Sequence, residues 1–244
     1  MKTLSLMLLS ALPFFATAVE PVENDDFDPD EIVLPGKGSV AIVSAVDEAY
    51  FPEIADAAKQ FENTVYVTTV ATSVQGFSMA DAREIASKQN ANIAVFVVDD
   101  VSLPTEFVSM TDRWGLVNIA RLKDGAPDDD AFKTRLRRLI MRQAGFLAGA
   151  TIPRSPTCLM CGVAGVADID AIEMDTISLD LLFNISRFES KSGISPGHKT
   201  GYRSACERGI APPPVTEYQK MVWEEFHSLP TKPIKIKFDK NVGR

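Results

Sequence analysis

The sequence predicts an α/β fold: a mixed sheet, mostly parallel with one antiparallel edge strand, packed by helices, with one long helix and an irregular C-terminal part. Three observations carry this. Short β-branched runs alternate with amphipathic stretches between 38 and 98, the pattern of a parallel sheet covered by helices. The segment 113–121 follows a loop and not a helix, which predicts an added antiparallel strand at the sheet edge. A sustained helical period then begins at Asp129 and stops at Gly149.

Taken in order, residues 1–18 read as a signal peptide: Lys2, an apolar run over 4–15, then Ala16-Thr17-Ala18 as a small-residue cleavage site. The run is too short to span a bilayer. The expectation is an exported protein, periplasmic or secreted, cleaved after Ala18. Residues 19–37 read as a flexible acidic leader, since 20–31 holds seven acidic residues and no basic one. Residues 38–244 are expected to form one domain.

Within that domain, 39–44 is a buried strand and 48–61 a helix whose inner face carries Ile54, Ala57, Ala58 and Phe61. A strand over 64–70, a helix over 78–87 opened by Ser78, and an apolar strand over 92–98 follow. The expected edge strand includes Gly115, Leu116, Val117, Asn118 and Ile119, whose free N–H and C=O groups would accept an extended peptide. The acidic triplet 128–130 caps the long helix. Phe132, Leu136, Leu139, Gln143 and Phe146 share one stripe of it. Arg135, Arg138 and Arg142 share another, read as a solvated face. Beyond it come a helix over 168–187, a polar surface loop over 190–214, a short helix over 216–226, and an alternating strand over 233–239 with lysines outward.

The chain has 244 residues, 45% hydrophobic, and a net charge of −8; losing the signal removes Lys2 alone among charged residues and leaves −9. That balance argues against nucleic acid or anionic membrane as a partner. Three cysteines allow one internal disulfide, expected to join Cys206 to Cys158 or Cys161. Cys158 and Cys161 also form a CxxC. The surroundings read as a loop and not as the strand-to-helix junction of a thioredoxin site, so a thiol–disulfide role is the lesser reading.

Positions 142–160 read RQAGFLAGATIPRSPTCLM. The spacing resembles the signature of the archaemetzincin zinc peptidases, HExxHxxGxxHC, four residues, then CxM. The first His and the Glu fall on Arg142 and Gln143, the second His on Phe146, and the third His on Ile152. The glycine, the later Cys and the Met fall on Gly149, Cys158 and Met160, all present. Two His one turn apart share a zinc and the Glu between them polarises its water, while the glycine lets the chain leave the helix toward the third ligand. Arginine cannot shed its charge, glutamine is no base, and Phe146 and Ile152 have no lone pair.

The resemblance covers about 38–188 and implies a zincin-like fold. A second, all-cysteine zinc site of the family would fall on Pro153, Cys158, Ser178 and Leu181, where one ligand type remains. Met160 reads best as a core methionine. The expectation is therefore a non-catalytic pseudopeptidase with no metal and no cofactor. It would bind a peptide or protein through the remnant cleft, with Phe146 and Ile152 as its apolar lining. The alternative from another class is an enzyme rebuilt from Asp99, Asp100, Gln143, His198, Glu207 and the cysteine pair, though no spacing brings these together.

Overall fold

In the computed structural model, the described residues are 31–153 and 155–201, with 205, 206, 209, 216, 217, 220, 221, 223 and 224. The sheet has five strands in the order β3-β2-β4-β6-β5, where β2 is Ser39–Ser44, β3 Thr68–Ser73, β4 Ile93–Val98, β5 Glu106–Ser109 and β6 Trp114–Asn118. Pairs β2–β3, β2–β4 and β4–β6 are parallel; β5–β6 is antiparallel. The expected mixed sheet with one antiparallel edge strand is present.

The three central strands, β2, β4 and β6, are buried on both faces because alternate residues feed two cores. Val40, Ile42, Val95, Val97 and Val117 meet α1 (Phe51–Val65) and the long helix α3 (Asp129–Ala148). Ala41, Val43, Phe96, Trp114 and Leu116 meet the layer of α2 (Ala82–Lys88). Helix α1 carries Ile54, Ala57, Ala58 and Phe61 inward as the spacing requires and continues to Val65. It ends where Tyr66 takes a left-handed conformation, so β3 starts later than its apolar run suggests. Helix α2 begins after Asp81, one turn beyond Ser78.

The edge needs correcting. Gly115, Leu116, Val117 and Asn118 lie on β6, which is parallel to β4 and paired on both sides, and Ile119 starts a short 3-10 turn after it. The edge strand is β5, a four-residue element inside what reads as a loop. A hairpin does what a crossover helix does elsewhere: β5 runs one way, a tight turn with Arg113 at φ 59° reverses the chain, and β6 returns parallel to β4.

Helix α3 has the predicted limits. Asp128 accepts a hydrogen bond from the Ala131 N–H at its start. At its end Gly149, at φ 112°, donates to the Gly145 and Phe146 carbonyls, and Ala150 N–H reaches the Gly145 carbonyl. After it come α4 (Val166–Asp170) and α5 (Leu179–Ser192), two helices where one over 168–187 is expected.

Two further expectations are revised. Part of the presumed leader, β1 (Glu31–Leu34), pairs antiparallel with β7 (His198–Gly201), which lies inside the presumed surface loop. Of the helix over 216–226, the described positions 217, 220, 221, 223 and 224 are helical; the signal peptide, residues 19–30 and the strand over 233–239 lie outside the described residues.

Candidate functional site

The site forms where α3 passes beneath β6 and β5. Glycine at 115 permits the approach: a Cβ there would stand 2.9 Å from Gln143 Oε1 and 3.3 Å from Leu147 Cδ1. Gly145 does the same for the loop after α3, since its Cβ would lie 3.0 Å from Met160 Cε. Met160 is fully buried under the helix, as its reading as a core residue requires.

Arg142 is buried, with 1% of its surface exposed, which overturns the solvated arginine face. Its Nη1 donates to the carbonyls of Leu159 at 2.6 Å and Cys161 at 2.7 Å. Its Nη2 lies 3.4 Å from Glu106 Oε1, and its Cζ sits 5.3 Å from the centre of the Phe146 ring. Neighbouring Gln143, also buried, donates from Nε2 to Glu106 Oε2 at 2.9 Å. Glu106, on β5 and 26% exposed in its side chain, thus holds both motif residues with its two oxygens. Arg142 Nε and Gln143 Oε1 are buried without a hydrogen-bond partner among the described residues.

The rest of the arginine stripe is also engaged. Arg135, 2% exposed, grips Asp170 through Nε at 2.8 Å and Nη2 at 2.7 Å, and its Nη1 donates to the Leu122 and Asp124 carbonyls. The hydrogen bond from Arg135 holds the Asp170 carboxyl below the usual carboxylate range. Arg138 donates to Asp175 at 2.6 Å and to the Ile169 carbonyl at 2.8 Å. Periodicity alone cannot separate such a face from a solvated one, because the acceptors come from distant segments.

Zinc does not fit here. A fixed cation already fills the pocket under β5, Phe146 and Ile152 offer no donor, and Ile152 is 65% exposed. Ile152 therefore does not line the site as expected. Among the described residues no group of three or more His, Cys, Asp or Glu is placed to hold a metal ion. Of the all-cysteine positions, Cys158 and Leu181 are buried in the core and Ser178 precedes α5. Cys158 and Cys161 are buried thiols in one turn, Cys161 N–H donating to the Cys158 carbonyl at 2.9 Å; neither is bridged to Cys206, so the expected disulfide is not formed.

No family model and no curated protein matches the sequence. Among solved structures, the archaemetzincin of Methanopyrus kandleri is similar at 12% identity and a TM-score of 0.49, over 61% of this chain and 93% of that one. A zinc-dependent peptidase of Methanocorpusculum labreanum is similar at 10% identity and 0.48, over 61% and 100%. The archaemetzincin of Archaeoglobus fulgidus, complexed with malonate, is similar at 11% and 0.45, over 60% and 99%.

The groups of the rebuilt-enzyme alternative do not converge. Asp99 and Asp100 are exposed at the end of β4, and Asp100 binds Ser102. His198 lies on β7 beside Leu179, Phe183 and Pro196, and Glu207 falls outside the described residues. The acid that does meet Gln143 is Glu106. Sequence reasoning missed it because its strand is four residues long and 37 positions separate the two.

Proposed function

We propose that this is a non-catalytic, exported, archaemetzincin-like protein that binds extended peptides along the free side of β5. One observation supports it most. The frame of a peptidase site is kept, with its helix, its Gly149 exit and its buried Met160, while the reactive positions are locked into the Glu106–Arg142–Gln143 network.

Among the described residues β5 pairs only with β6. Asn118 N–H donates to the Thr105 carbonyl, so the antiparallel alternation turns the backbone groups of Phe107 and Ser109 toward β6 and those of Glu106 and Val108 outward. A peptide strand added there gains main-chain hydrogen bonds that need no metal. Phe107 and Met110, 38% and 45% exposed, give it apolar surface. One short edge supports only modest affinity, roughly micromolar or poorer.

The test is a library of extended peptides incubated with folded protein and read for binding and for cleavage. Binding without cleavage is expected. Cleavage of any peptide overturns the non-catalytic reading, and failure to bind at all overturns the peptide-binding one. Export carries its own check: intact mass of the secreted protein should give a chain starting at Val19, and an uncleaved chain starting at Met1 would refute it.

A further inference from the structure

We infer that the Arg142 guanidinium is a resident cation that cross-links three separate segments, as a bound metal ion would in a site of this shape. A structural metal ties a fold together by sharing donors from distant parts of the chain. Arg142 meets that description with the polarity of the ligands kept: two backbone carbonyls from the turn at 158–161, one carboxylate from β5, and its own root on α3. Each acceptor is an oxygen, the atom type a hard cation takes.

The arrangement is built around the charge. A lone buried cation is strongly unfavourable, and the partial charges of two carbonyls plus the Glu106 carboxylate are what offset it. The planar fork directs one nitrogen to both carbonyls and another toward β5. The Phe146 ring, 5.3 Å from Cζ, covers the guanidinium. Unlike a metal, this cation is covalently part of α3 and cannot be chelated away. Arg135 and Arg138 extend the device along the same stripe, fastening 122–124 and 169–175 to α3. The long helix therefore carries its own row of cross-links into segments on both sides of it in the chain. This inference concerns how the site is held and does not depend on peptide binding.

Amide hydrogen exchange on the full folded chain, resolved by peptide, tests it. In R142M, exchange should accelerate at least about tenfold both in β5 and at the 158–161 turn. In E106Q it should accelerate in β5 and stay at the wild-type rate in the turn, because only one of the three ties is weakened. R142K should accelerate both segments, since an ammonium cannot reach two carbonyls and the carboxylate together. R135M, a buried arginine with other partners, should leave β5 unchanged. The inference is overturned if R142M or R142K leaves either segment at the wild-type rate, or if R135M loosens β5 as much as R142M. Should R142M fail to fold, R142K and E106Q still decide: an unchanged β5 in either refutes the cross-link.

Discussion

Removing the Arg142 side chain would strand two buried carbonyls and one carboxylate, which sets the scale of its effect. R142M should cost about 3 kcal/mol or more by denaturant unfolding, since a buried partner is deleted and its acceptors stay behind. Gly149 is a second sensitive position: at φ 112° an L side chain is strained, and its Cβ would lie 2.3 Å from Phe188 Cβ. G149A should lose roughly 2 kcal/mol or more, read as a lower midpoint. The Asp170–Arg135 pair makes a pH-dependent contribution. The folded-state pKa of Asp170 is depressed, so its stabilisation is present above the unfolded value of about 3.9 and is lost as pH falls through the lower folded value. The stability gap between wild type and D170N should be widest near neutral pH and shrink below about pH 4. It should be smaller than the Arg142 effect, because 47% of the Asp170 side chain faces water. A gap that widens in acid would contradict this assignment. Gly149 was legible from the end of the helical period, because it answers to a local demand, whereas Met160 was singled out only through the family resemblance. The burial of Arg142 was not, because its partners lie 17 to 36 positions away.

The edge strand is the element on which the functional reading turns. Val108 presents its N–H to the open side, so V108P should weaken peptide binding severalfold and leave the β5–β6 ladder intact, an edge being where proline is tolerated. The same substitution at Ser109, whose N–H faces β6, should disturb the fold itself. Titration of a labelled peptide against each variant, with melting curves alongside, separates the two effects; equal binding losses with equal melting changes would argue against a specific role for the outward groups. The long elements were readable because many positions repeat one period: β2, β4 and α3 fall close to their expected limits. Strand β5 was not, since four residues between turns carry too little alternation to register. That omission also misplaced the edge, because β6 reads as terminal once its hairpin partner is overlooked.

For the whole molecule, the row of guanidinium ties implies stability independent of divalent metal. Melting temperature should not change after chelator treatment or with added zinc; a clear zinc-dependent rise would mean that a site has been misread, since any ligand of the folded state raises it by mass action. The layered α/β architecture was legible because alternation of strand and helix dictates it, whereas the closure at the N-terminal side was hidden by the acidity of the preceding residues. That closure has a kinetic side. Strand β1 stands near the start of the chain, and its partner β7 comes only at His198–Gly201. During synthesis at about 5–20 residues per second, β1 waits on the order of ten seconds for a strand to pair with. Such a distant pairing is slow to form even in a complete chain, because a long loop must close first. The β1–β7 clasp is therefore the last part of the described fold that can shut: the sheet and α3 can assemble first, and the pairing then ties the two ends of the described fold together.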